Sequence, residues 1–152
     1  MQQVIYIDAV QPQDTRITGV DLLEIEWFEI EKHLFKRSTL GEKVIHLERE
    51  SNRDWQQGDA LYSNGKLIAQ LEIKPALAIQ FTSDSGEEIA DFSFYIGNRH
   101  LPVFIAKEGE HLLVPYDGNL YEQLLAKFPT QITLEKKQLL ACMLLKKKYS
   151  KP

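Results

Sequence analysis

Five side chains in this chain could ligate a borderline or soft metal: His33, His46, His100, His111 and the single cysteine, Cys142. No two of the histidines stand four apart, as a helical metal pair would, and no H-E-x-x-H occurs. One cysteine rules out an intrachain disulfide and a cysteine-only zinc site within one chain. No serine sits in a G-x-S-x-G elbow, and Gly97 and Gly109 are isolated rather than part of a phosphate-cradling loop. Nothing points to nucleophilic catalysis, and metal ligation is the chemistry to weigh against structural roles for these side chains.

The five candidates differ in setting. His33 and His46 lie among charged residues in a strand-rich stretch and read as surface histidines. His111 opens a strand beside Glu110. It is either an exposed strand-end histidine or an auxiliary metal ligand with Glu108 or Glu110 as oxygen donors. Cys142 lies in the apolar run 139–145 and reads as a small buried hydrophobe, with a soft ligand near a dimer axis as the alternative.

His100 has the most constrained surroundings, Tyr95-Ile96-Gly97-Asn98-Arg99-His100-Leu101-Pro102. Upstream, Ser85 and Glu88 have the spacing of a capping box, so a helix is predicted over 85–98. Ile89, Phe92 and Ile96 make its apolar face. Gly97 and Asn98 are the residues that tolerate a left-handed conformation at a helix C-terminus. Pro102 stops the helix and biases Leu101 towards extended backbone. His100 is therefore expected at a corner where the helix dipole favours positive charge. Taken alone, His100 reads as a capped helix end or a satisfied polar group, since a single imidazole builds no specific site; the alternative is a ligand, with two copies meeting across a two-fold axis to bring two imidazoles to one metal.

The elements that must carry this corner follow from periodicity. Residues 4–7 read as a strand and 11–14 as a loop. Alternation at Leu23-Glu24-Ile25-Glu26-Trp27 favours a half-buried strand within 21–30. Leu34 and Phe35, then Val44, Ile45 and Leu47, suggest two strands around a turn at Gly41. Asn64-Gly65 supplies the positive φ angles of a tight hairpin turn. Trp27, Phe28 and Trp55 read as core, with a partner-binding surface as the alternative. Beyond Pro75 the predicted order is strand 76–81, helix 85–98, strands 103–106 and 112–114, a second helix from the Asn119/Glu122 capping spacing to Pro129, and strand 132–134. This β-α-β-β-α-β order matches the ferredoxin-like split βαβ plan. Leu139, Leu140, Met143 and Leu144 have the spacing of a C-terminal amphipathic helix. The fold class is therefore α+β: a small all-β domain over 1–73, then a ferredoxin-like βαββαβ domain over 74–152.

Composition bounds the function. The 152 residues carry a net charge of -4 with a pI near 5.6, which argues against a nucleic-acid binder. Lys146, Lys147, Lys148 and Lys151 form a short basic tail that reads as a solvated end. Residues 1–10 lack a basic stretch followed by an apolar run, and no segment approaches the length of a membrane span. The expectation is a cytoplasmic protein that engages neither nucleic acid nor membrane.

Gly97-Asn98-Arg99-His100 in this setting resembles the motif of the urease accessory protein UreE family, nickel metallochaperones. The resemblance extends to Val20-Asp21-Leu22-Leu23-Glu24-Ile25-Glu26-Trp27, to Gly58-Asp59-Ala60-Leu61-Tyr62 and to Val114-Pro115-Tyr116-Asp117. It implies a chaperone peptide-binding-like first domain and a metal-binding, dimerising second domain. It implies a non-enzymatic homodimer that binds a nickel ion through His100 at its interface. Delivery to apo-urease would occur with the other accessory proteins, including the urease GTPase. Imidazole also suits zinc and copper, which are implied competitors. The chain departs from many family members in lacking a histidine-rich tail, and from some in having Tyr116-Asp117-Gly118-Asn119 where they carry extra histidines. About one tight metal per dimer is the expectation.

Overall fold

The computed structural model describes residues 3–50, 52–106, 109 and 111–145. Glu108, Glu110 and the lysine tail lie outside the described residues. The chain divides into two compact units, Met1–Lys74 and Pro75–Pro152.

Unit 1 is built of seven short strands: β1 (Val4–Tyr6), β2 (Ala9–Gln11), β3 (Asp21–Ile25), β4 (Leu34–Ser38), β5 (Val44–Glu48), β6 (Ala60–Ser63) and β7 (Lys66–Ile73). They form two sheets, β1-β5-β4 and β2-β6-β7-β3. The β1–β5 and β3–β7 pairs are parallel and the others antiparallel. Leu23, Ile25, Phe35, Ile45, Leu61 and Leu71 are fully buried, in keeping with the alternation read in the sequence. Asn64 and Gly65 both take positive φ, 52° and 78°, as the β6–β7 turn requires.

The half-buried strand expected within 21–30 stops at Ile25. A 3-10 turn, Trp27–Glu29, follows, because the Glu29 carboxylate accepts the Glu26 N–H at 2.8 Å. Arg37 fixes that carboxylate with bonds of 3.0 and 2.9 Å. Trp55 is core, but Phe28 is 65% exposed, contrary to the expectation that all three aromatics are buried. The turn carries its ring outward against the edge of Trp27.

Unit 2 runs β8 (Ala76–Phe81), α1 (Gly86–Asn98), β9 (Phe104–Ile105), β10 (Leu112–Pro115), α2 (Gly118–Lys127) and β11 (Ile132–Lys137). The sheet order is β11-β8-β10-β9, antiparallel throughout, which is the predicted ferredoxin-like plan. Ile79 and Phe81 of β8 share a face, and Phe92, Ile96, Leu120 and Leu124 of the helices pack on it. Phe81 and Phe92 stack at 4.2 Å, and Phe128 meets both edge-on. Stacked and edge-to-face aromatics of this kind fix the positions of α1 and α2 on the sheet.

Both helix starts are capped, with differences from the sequence pattern. Ser85 accepts the Glu88 N–H, as expected. The Glu88 carboxylate accepts from the Ser83 hydroxyl, whose oxygen takes the Ser85 N–H. The box is thus closed through a third residue. α2 is capped by Asp117, which accepts the Leu120 N–H at 2.9 Å, two residues before the predicted Asn119. The predicted C-terminal amphipathic helix is not formed over the described residues. Leu139 and Leu140 are buried, a 3-10 turn spans Ala141–Met143, and Leu144 pairs with Phe104. Edge pairing there satisfies backbone groups that a helix would otherwise pair internally.

Candidate metal centre

His100 is held by the end of α1. Asn98 is the last helical residue and Arg99 the C-cap, at φ -93° and ψ 2°. The His100 N–H donates to Gly97 O at 3.0 Å and the Leu101 N–H to Ile96 O at 3.4 Å. These are the two bonds of a Schellman motif, and Ile96 and Leu101 supply its hydrophobic contact within the core cluster. The left-handed residue is His100 itself, at φ 56°. The sequence reading placed that conformation on Gly97 or Asn98. The core decides otherwise: burial of Ile96 fixes where the helix ends, and the left-handed position falls one residue past Arg99.

An L-residue there costs on the order of 1–2 kcal/mol, and glycine is the ordinary choice. The His100 side chain is exposed and makes no hydrogen bond or ion pair among the described residues. Its imidazole therefore extends from a strained corner with both ring nitrogens free of such partners.

The other candidates lie elsewhere. His111 is half-buried, with Nδ1 2.7 Å from the Thr82 hydroxyl, and lines a cavity of about 150 Å³ with Phe81, Ser83 and Ile89. That cavity sits by the start of α1, whereas His100 is past its end. The ten helical residues from Ile89 to Asn98 make roughly 15 Å. One chain does not bring the two imidazoles together. Cys142 is exposed, contrary to the buried role expected, because the apolar run forms a turn instead of a helix. The Leu145 N–H donates to Val103 O at 2.8 Å, which lays that turn's exit beside the segment following His100.

His33 is exposed, as expected, and the His46 ring lies tilted beside that of Tyr6, centroids 4.8 Å apart, with Glu48 3.4 Å from its Nε2. Among the described residues no three His, Cys, Asp or Glu side chains gather as a metal site. Neither is any helix among them long and apolar enough to cross a membrane.

No protein-family model matches the chain. A urease accessory protein UreE of Acetivibrio thermocellus is 25% identical over 125 residues, covering 82% of this chain and 79% of that protein. UreE of Flavobacterium johnsoniae is 32% identical over 108 residues, covering 70% and 64%. The chain is a relative of the UreE proteins. UreE of Actinobacillus pleuropneumoniae is 28% identical over 109 residues, or 70% of this chain and 57% of that protein. The matched stretch thus spans less than two thirds of the second and third UreE relatives. All three are urease accessory proteins, and an accessory role to urease is the broad assignment they support.

Tyr95 and Gln123 are the residues of this region that the sequence reading left without a role. Their signal was present in part: Tyr95 and Arg99 stand four apart on α1, the spacing of facing helical side chains.

Proposed function

We propose that the chain is a nickel-binding metallochaperone of urease assembly. It is a non-enzymatic cytoplasmic homodimer that holds nickel between two copies of His100. It passes the metal to apo-urease in company with the other accessory proteins, including the urease GTPase. Zinc and copper compete for the same imidazoles. The observation that carries this reading is His100: an exposed histidine with no partner among the described residues, at a left-handed position better suited to glycine. Strain retained at an exposed residue argues that its side chain is needed.

The face of α1 next to it supports a dimer. Phe94 is 70% exposed and Ile89 39% exposed, with Ala90, Ser93 and Gly97 exposed between them. Gly97 is helical, not at positive φ, and a Cβ there would meet nothing within 4 Å. Its own fold gives no reason for glycine, which costs about 1 kcal/mol in a helix. Close approach of a second chain does. A two-fold axis past Gly97 would bring each His100 to its copy.

A calorimetric nickel titration of the native protein and of His100→Ala, with mass read by light scattering, tests the reading. About half a nickel per chain, lost in the variant while the dimer persists, is the expected result. Equal binding in both proteins would sink the assignment of His100. The second reading is a scaffold of the urease-assembly complex for which the metal is incidental. The outward-facing Phe28 ring of unit 1, 65% exposed, favours it. A scaffold would still activate urease with His100→Ala; the metallochaperone would not.

A further inference from the structure

We propose that Arg99 is a positioning residue for His100: clamped between Tyr95 and Gln123, it holds the left-handed corner and keeps its own charge off the imidazole. The inference rests on the reading of His100 as a metal ligand and adds the device that presents it.

The corner needs support on both sides. After it, Leu101 packs on the unit 2 core and Pro102 limits the backbone. Before it stands Arg99, the C-cap, whose backbone no longer follows the helix. Its bonds alone are modest, and the Leu101 N–H to Ile96 O contact is long at 3.4 Å. The Arg99 side chain supplies what is missing. Its guanidinium carbon lies 3.9 Å from the centre of the Tyr95 ring, one turn back on α1. Its Nη2 donates to Gln123 Oε1 on α2 at 3.0 Å. The same oxygen accepts from the Tyr95 hydroxyl at 2.7 Å.

Three side chains thus close a ring that ties the end of α1 to α2. Arginine suits this because a flat guanidinium can stack on a ring and donate in its own plane at the same time. The electrostatic part follows from adjacency. A loose guanidinium one residue from His100 could swing towards the imidazole and oppose a divalent cation there. Held against Tyr95 and Gln123, it cannot. Lys127 Nζ stands 5.4 Å from the centre of the same ring, so Tyr95 gathers a second cation.

The test uses the full chain and two readouts: amide hydrogen exchange at His100 and Leu101, and nickel affinity by calorimetry with Ni²⁺ as the probe. In Arg99→Ala, exchange at these two amides should accelerate about tenfold. The Ile79 and Leu124 amides should stay within about twofold, and nickel should bind several-fold more weakly. Gln123→Glu, which strengthens the acceptor, should leave both readouts near native. Arg99→Lys, which keeps charge but loses the planar stack, should fall between native and alanine.

If Arg99→Ala does not fold, Tyr95→Phe and Arg99→Lys carry the test, each expected to accelerate the same two amides. Unchanged exchange at His100 and Leu101 in every clamp variant that folds would overturn the proposal. So would native exchange and nickel affinity with lost urease activation, which would place Arg99 on a partner surface. Nickel binding that survives His100→Ala would defeat the ligand reading instead, and the exchange readout would still judge the clamp.

Discussion

In unit 1 the Gly58-Asp59 pair faces inward, and in unit 2 Gly97-Asn98-Arg99-His100 faces solvent. Both stretches carry the family resemblance, yet their physical work differs. Asp59 is 1% exposed and accepts from Arg53 at 2.9 and 2.7 Å and from the Gln56 N–H at 3.0 Å. Gly58 has a φ of 90°, and a Cβ there would sit 2.4 Å from Gln13 O. Gln70, also buried, accepts the Ile17 N–H and donates to Thr15 O and Gly58 O. Every one of these groups closes a loop onto the sheet. In unit 2, Gly97 has open space beside it and His100 has no partner among the described residues. The first motif is explained by its own chain. In the second, contacts among the described residues account for Arg99 but not for Gly97 or His100.

That contrast can be broken by substitution, and the chain offers separate optical reports. Both tryptophans, Trp27 and Trp55, lie in unit 1, and the two α-helices of the described residues lie in unit 2. The largest effect is expected from Asp59→Ala. It leaves Arg53 without its carboxylate and the Gln56 N–H without an acceptor, at a cost of about 3 kcal/mol. Urea unfolding followed by tryptophan fluorescence should show it, with nickel binding intact. Nickel binding lost together with unit 1 stability would mean that the two motifs are not separable.

Acid should act next, and on unit 1. The hydrogen bonds of Arg37 hold the Glu29 carboxyl below the usual glutamate range. Burial pushes Asp21 up, but Thr39, the Gly41 and Leu22 N–H groups and Lys43 outweigh it and hold that carboxyl low. Depressed folded values mean that the stabilisation is present above the unfolded carboxylate range and is lost as pH falls through the folded values. Tryptophan-monitored stability should therefore decline below about pH 4. Glu29→Gln should flatten that decline; an unaltered slope would remove Glu29 from the account.

The unit 2 substitutions should have the opposite sign. His100→Gly relieves the left-handed strain and should stabilise the helical circular dichroism signal by about 1 kcal/mol, while abolishing tight nickel binding. A loss of stability would mean that the corner is not strained. Smallest is Gly97→Ala, expected to stabilise the α1 helix by about 0.5–1 kcal/mol through helix propensity. It should shift the protein towards monomer in light scattering. A dimer with native nickel affinity would rule out this face as the interface.

Much of the fold was legible because local chemistry and pattern agree. Asn64-Gly65 admits few conformations other than a hairpin turn, and Ser85 offered a cap to a helix whose Phe92 and Ile96 recur on one side. What was misread depends on packing. Strand β2 fell in a stretch read partly as loop, and pairs only because β6 lies beside it. The run 139–144 has helical spacing but spends its apolar groups on burial and edge pairing. Cys142 is left outside, and Phe28 is turned outward by Glu29 and Arg37.

The sequence by itself determined that a histidine stands at the corner after α1, since helix cap, apolar face and Pro102 are all local signals. It also determined the β-α-β-β-α-β order of unit 2 and the family likeness. Only the tertiary structure decided that the left-handed residue is His100, because the end of a helix is fixed by which side chains the core accepts. Only it separated His111 from His100 by most of a helix and joined Arg99 to Gln123, twenty-four positions away. Such contacts depend on how α1 and α2 pack on one sheet, and no local spacing encodes them.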